Sequence, residues 1–151
     1  APAAGFAVGA CGRTGVSVTV QVDNGDAALF STAGTGWRSS TTGEGYAGGG
    51  DYLFNAAGVP PWAAWKLNLP EDGKYEVLVR FPAHANRSSR ALYRLYADLG
   101  GPALENRVDQ RNAAGFASLG THQLTRSAWI ELDTTDADGY TVADLVSAEK
   151  K

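Results

Sequence analysis

The stretch GKYEVLVRF, Gly73 to Phe81, sets Tyr75, Val77, Val79 and Phe81 two residues apart on one side of an extended chain. That is the period of a half-buried β-strand. Pro82 then ends its capacity to pair. The same period governs VSVTVQV, where Val16, Val18, Val20 and Val22 oppose Ser17, Thr19 and Gln21. Working outward, DYLFN and WAAWKLNL precede the central strand, punctuated by GVPP and PEDG, whose proline and Asp-Gly pair supply turn geometry. ALYRLYADL, LENRVDQRN, FASLGTHQL, AWIELDT and YTVADLVSAE continue the rhythm of strand and turn, and no segment sustains a helical period. About eight to ten short strands at this spacing predict an all-β fold, an antiparallel β-sandwich of jelly-roll type. One domain is expected over residues 1–151, with residues 1 to about 13 and Glu149 to Lys151 as frayed ends. Asp23 to Gly50, rich in glycine, serine and threonine, is expected to be a long ordered loop pinned by Phe30, Trp37 and Tyr46.

Composition narrows the function classes. The chain has 13 basic and 16 acidic residues, a net charge of -3, without a basic stripe of the kind that neutralises phosphates, which argues against nucleic acid as a partner. No apolar run approaches the ~20 residues that cross a bilayer as a helix, so membrane insertion is not expected. Nineteen glycines in 151 residues favour many tight turns. Cys11, the only cysteine, has no internal disulfide partner and reads as a small buried hydrophobe. Ala1-Pro2-Ala3-Ala4 has the small-residue character left by signal-peptide cleavage, which points to secretion.

The succession VDNGDAALFSTAG, GYAGGGDYLFNAAG, AAWKLNLPEDGKYEVLVRFPAHANRSSRALY, VDQRNAAGFASLG and GYTVADLV resembles the golvesin C-terminal-like domain, also described as the xanthan-lyase carbohydrate-binding-like domain, over about residues 22 to 147. The resemblance implies a secreted bacterial β-sandwich appended to enzymes or surface proteins, with carbohydrate or surface binding as its role. Arg80-Phe81, Phe116 and His122 depart from the aromatics common at those places in the family.

Candidate binding groups follow from chemistry. Sugars present apolar C–H faces that stack on exposed rings, so aromatics in loops are the first candidates: Trp37 and Tyr46 in the polar loop, and Trp62 after Pro60-Pro61. Trp65 and Trp129 lie inside strand patterns and are assigned to the core. In the connection Ala83 to Arg90, Arg87 and Arg90 are expected to be exposed, with planar forks suited to the hydroxyls or carboxylates of an acidic polysaccharide. His84 has no nucleophile to pair with, so no catalytic residue is assigned. GEGYAG, residues 43 to 48, matches GxGxxG without the strand and helix that pattern needs. DTTDADG offers Asp133, Asp136 and Asp138, oxygen ligands of the type Ca²⁺ takes, with Asp23 and Asp26 at another turn; a structural calcium is the one cofactor considered, against a solvated Asp-Gly turn. In VDQRN a strand would pair Asp109 with Arg111 on one face. The leading expectation is a secreted, non-catalytic module that binds a polysaccharide or cell-surface glycan. The alternatives are a self-associating structural or adhesive subunit, and an accessory domain of a polysaccharide-degrading enzyme.

Overall fold

The structure, a computed structural model, describes residues 18–40, 51–56, 62–112 and 114–151. Cys11, Tyr46, the GEGYAG segment and the start of the VSVTVQV strand lie outside the described residues. Within them the chain forms strands and no helix: β1 (Thr19–Asp23), β2 (Phe30–Ala33), β3 (Arg38–Ser40), β4 (Tyr52–Asn55), β5 (Trp62–Lys66), β6 (Gly73–Arg80), β7 (Ala91–Tyr96), β8 (Ala103–Val108), β9 (Phe116–Leu124), β10 (Trp129–Asp133), β11 (Thr141–Ala143) and β12 (Leu145–Lys150). They assemble as a four-stranded sheet in the order β1-β12-β6-β9, a five-stranded sheet in the order β2-β5-β10-β7-β8, and a small sheet β11-β4-β3. Every strand pairing is antiparallel. The result is the antiparallel jelly-roll sandwich that the alternation predicts.

Alternation decides which side chains enter the core. In the four-stranded sheet the register Val22, Val146, Val79 aligns three fully buried valines across β1, β12 and β6. In the five-stranded sheet Phe30, Trp65, Ile130 and Leu95 face one another across β2, β5, β10 and β7, and all four join the same buried cluster. Trp65 is stacked 6.3 Å from Tyr93, and its indole Nε1 donates to the Asp144 carbonyl at 3.3 Å. Burying a large aromatic is worth roughly 3 kcal/mol or more to the fold. Across β6 and β9 the register shifts by one residue at Leu119, and Gly120 takes φ 93, a left-handed conformation that glycine adopts without steric cost.

Three expectations are corrected. The Asp23–Gly50 stretch contains two strands, β2 and β3, rather than one loop. Glu149 and Lys150 belong to β12, and Lys151 N donates to the Lys74 carbonyl at 2.8 Å, so this end is bonded rather than frayed. VDQRN leaves the sheet after Val108, because Asp109 accepts a bond from the Arg111 backbone N at 2.9 Å and closes a turn. The turn carries Gln110 inward. Gln110 is fully buried: its Nε2 donates to Tyr93 Oη and to the Val142 carbonyl, both at 2.9 Å, and its Oε1 accepts from Val142 N at 2.8 Å. One amide thereby ties the end of β8 to β7 and β11.

Gln110→Ala leaves Tyr93 Oη and both backbone groups of Val142 without this partner, at about 1–3 kcal/mol for each buried polar group left unsatisfied. Urea unfolding is expected to show a loss of at least about 2 kcal/mol, and a loss within about 0.5 kcal/mol would remove Gln110 as a tie point.

Candidate functional site

The Ala83–Arg90 connection is not a free, solvated loop. Arg87 is buried, with Nε donating to the Pro82 carbonyl at 3.2 Å, one terminal nitrogen to Asn86 Oδ1 at 2.7 Å, and the other to Tyr52 Oη at 3.2 Å. Its guanidinium carbon stands 5.3 Å from the centre of the Tyr52 ring. Arg87 is therefore a structural pin, and the exposed fork expected for ligand does not exist. Arg90 is exposed, but its Nε donates to the Asp136 carbonyl at 3.0 Å. His84 is exposed, and its Nδ1 accepts from Asn86 N at 3.1 Å within a local turn.

DTTDADG folds onto this connection. Asp138 accepts from Ser89 N at 2.8 Å, from Ser88 Oγ at 3.0 Å and from Ser89 Oγ, with Arg111 3.7 Å away. These donors hold the Asp138 carboxyl far below the usual carboxylate range, the Ser89 bonds being the strongest cause. Asp136 pairs with Arg107 at 2.8 Å, which lowers its pKa too. Asp133 pairs with Arg94 at 2.8 Å; burial works to raise its pKa, and bonds from Thr135 and Arg94 overcome this and lower it. The three aspartates thus serve three different arginines rather than converging as calcium ligands. Asp23 has a different environment again. Burial, with Asp51 nearby, raises its pKa, against bonds from Gly25 N and Asp144 that lower it. Among the described residues, no group of three or more His, Cys, Asp or Glu side chains is placed to hold a metal ion.

The aromatics gather elsewhere. Trp37 is half-buried and packs against the core, with no acceptor for its Nε1 among the described residues. Trp62 takes the other course. On β5 the alternation that sends Ala63 and Trp65 inward turns Trp62, Ala64 and Lys66 to the outer face of the five-stranded sheet. Trp129, expected in the core, also lies on this face: it is opposite Lys66 in the register and alternates with the buried Ile130. Tyr96 stacks on its indole at 4.1 Å and 4°. Strand neighbours therefore put Tyr96 on one side of Trp129 and Lys66 on the other.

Between these groups runs a groove of about 480 Å³. Ala64 and Ser31, small residues paired across β5 and β2, lie along it with Trp62 and Trp129. Leu99, 74% exposed on the β7–β8 turn, lines it as well, as does exposed Asn68, held at φ 51, a left-handed conformation that asparagine tolerates. Among the described residues, the charged side chains that line the groove are Lys66 and Arg126. The β10 segment offered a sequence signal for this face, since period two places Trp129 with Glu131 and Asp133, opposite Ile130 and Leu132. Lys66 and Arg126 carried no such signal.

This fold and face define the class, a jelly-roll β-sandwich with an aromatic groove on an outer sheet surface. The chain belongs to the Golvesin C-terminal domain family, whose match spans residues 20–150. It is 36% identical over 138 residues to a xanthan lyase of Bacillus sp. (strain GL1), covering 85% of this chain and 14% of that protein. The structure of a Paenibacillus xanthan lyase superposes with TM-score 0.78 at 30% identity, covering 91% of this chain and 13% of that one. This chain thus spans about one seventh of those relatives. A family 35 carbohydrate binding module from Clostridium thermocellum shares the fold, with TM-score 0.56 at 19% identity over 86% of this chain and 97% of that one.

Two outcomes test the loop assembly. A Cβ on Gly139 would stand 2.6 Å from the Arg87 carbonyl oxygen and 2.8 Å from that of Asn86, both backbone atoms, so Gly139→Ala is expected to cost about 1–3 kcal/mol in thermal unfolding. A neutral result would mean that the two loops are not docked. Asp133, Asp136 and Asp138 have depressed folded pKa values, so the stability they contribute is complete above the unfolded value of about 3.9 and is lost as pH falls through the folded values. Asp23, raised, acts in the opposite sense: its contribution is present in acid and is lost as pH rises through its folded pKa. Melting temperature is therefore expected to fall below about pH 4, and Asp138→Asn to flatten that fall. An identical acid limb in wild type and variant would contradict the assignment.

Proposed function

We propose that the domain is a non-catalytic binding module for an extracellular polysaccharide, and that it holds the polymer in the groove on the outer face of the five-stranded sheet. The observation that carries this reading is the pair of half-buried tryptophans, Trp62 and Trp129, set on one rigid face beside the small residues Ala64 and Ser31. Trp62 and Lys66 are four residues apart on one strand, roughly 13 Å at about 3.3 Å per residue, and Trp129 sits opposite Lys66. That span exceeds a single pyranose ring and suits an extended chain. Apolar sugar faces can stack on the indoles, while Ser31, Asn68 and Ser127 supply hydrogen-bonding groups for hydroxyls.

Among the described residues the lining contains no aspartate, glutamate, histidine or tyrosine, and so does not present the carboxylate pair with which most enzymes hydrolyse a glycosidic bond. Binding without bond breaking is what this surface supports. Similarity to one segment of xanthan lyases, whose substrate is a polysaccharide, supports a polymer as ligand and the role of accessory domain.

Affinity electrophoresis against a panel of soluble polysaccharides provides the test. Wild type is expected to be retarded, and Trp62→Ala and Trp129→Ala to lose about tenfold or more in affinity, equivalent to about 1.4 kcal/mol each. Arg90→Ala, on the other loop system, is expected to bind as wild type does. Full binding by both tryptophan variants would overturn the groove as the site.

A further inference from the structure

Among the described residues, the charged side chains that line the groove are of one sign, Lys66 and Arg126. We propose that the groove selects an anionic polysaccharide, with acidic groups of the polymer seated on Lys66 and Arg126 while its sugar faces lie on Trp62 and Trp129; this deepens the reading of the groove as a glycan site and rests on it.

The argument is one of charge placement. The chain as a whole is acidic, with a net charge of -3, yet among the described residues no carboxylate lines the groove. Elsewhere on the same sheet the arginines are consumed internally. Arg94 binds Glu105, Glu131 and Asp133 at 3.1, 3.0 and 2.8 Å, and Arg107 binds Asp136 at 2.8 Å. Lys150 pairs with Glu71, and Lys151 with Glu76 and Glu149. Lys66 and Arg126 are exposed and make no ion pair among the described residues. The neighbouring carboxylates have other partners: Asp72 accepts from Arg126 N at 3.0 Å, Asp98 from Thr125 Oγ1 at 2.8 Å and Leu99 N at 2.9 Å, and Glu131 and Asp133, opposite Ala64 and Trp62 in the register, are bound by Arg94 at 3.0 and 2.8 Å.

The backbone beneath both cations is fixed. Lys66 sits on β5 between β2 and β10, with its N donating to the Leu29 carbonyl at 2.8 Å. The turn that carries Arg126 is anchored by Thr125 N to the Ala97 carbonyl at 2.9 Å and closed by Ala128 N to the Thr125 carbonyl at 3.1 Å. A guanidinium and an ammonium held beside an indole surface match a repeating polymer in which acidic groups alternate with apolar ring faces. The guanidinium offers a carboxylate two parallel bonds, and the ammonium a compact charge. A neutral polymer would use the tryptophans and leave both cations solvated.

The test measures binding of the domain to polygalacturonate, alginate and hyaluronan, each beside its own carboxyl-reduced form. At least one acidic polymer is expected to bind tenfold or more tightly than its reduced counterpart. That advantage should vanish in about 1 M salt, where the screening length falls to about 3 Å, and in the double variant Lys66→Gln/Arg126→Gln. Trp62→Ala should weaken acidic and reduced forms alike. Equal affinity for each acidic polymer and its reduced form, or an undiminished preference in the double variant, would overturn the anionic selectivity while tryptophan-dependent binding kept the glycan reading. Failure of wild type to bind any polymer of either series would overturn both.

Discussion

Strand β5 is paired on both sides, to β2 through Phe30–Trp65 and to β10 through Trp65–Ile130, and this double pairing fixes its register. A slip of one residue would expel Trp65 from the core and bury Lys66, so the fold cannot tolerate it. Core and groove are therefore two consequences of one constraint. The same five residues, WAAWK, send one tryptophan inward to stack beside Tyr93 and present the other outward beside Ala64 and Lys66. Because the outward side chains stand on a strand with neighbours on both sides, their spacing is set by the sheet rather than by loop geometry, which gives a binding face its precision.

The polar parts of the molecule stabilise that sheet from its other end. Arg94, on β7, is surrounded by three carboxylates from β8 and β10; burial disfavours its charge, and the carboxylates overcome this and raise its pKa. Exposed pairs contribute little singly, but a shared guanidinium across three strands resists their shearing. Beyond it the Ala83–Arg90 and DTTDADG loops lock together through Asp138, Arg87 and the close approach at Gly139. The residues that look most reactive in the sequence are thus the ones most fully committed to structure. The cations of the groove, in contrast, make no ion pair among the described residues.

Much of the fold was legible because period-two alternation is a direct imprint of a sheet with one buried face: Tyr75, Val77, Val79 and Phe81 are all fully buried, as the spacing requires. The site was legible only in part. Trp62, read from the sequence as a loop aromatic, lies instead on strand β5 and lines the groove. Trp129 lies inside a strand pattern, which assigns it to the core only if its phase is ignored; its phase with Glu131 and Asp133 puts it on the outer face. Arg87 differs from its expectation for a deeper reason: the connection AHANRSSR, mostly small and polar residues, has the composition of solvated chain, and the burial of Arg87 arises from long-range bonds to Tyr52 and contacts with Gly139. Similarly, the spacing of Asp133, Asp136 and Asp138 suits a metal loop, and only tertiary structure reveals that Arg94, Arg107 and Arg111 stand beside them. Lys66 and Arg126 acquire meaning only when β5 and the β9–β10 turn are brought together.

The four tryptophans offer the most direct measurement, since each indole N–H gives its own nuclear magnetic resonance signal and the fold assigns them to different environments. Titration with a polysaccharide that retards the domain is predicted to shift the Trp62 and Trp129 indole signals with one common saturation curve, while those of Trp65, in the core, and Trp37, packed against it, stay in place. Saturable shifts of Trp37 with Trp62 and Trp129 unmoved would contradict the account and place the ligand away from the five-stranded sheet.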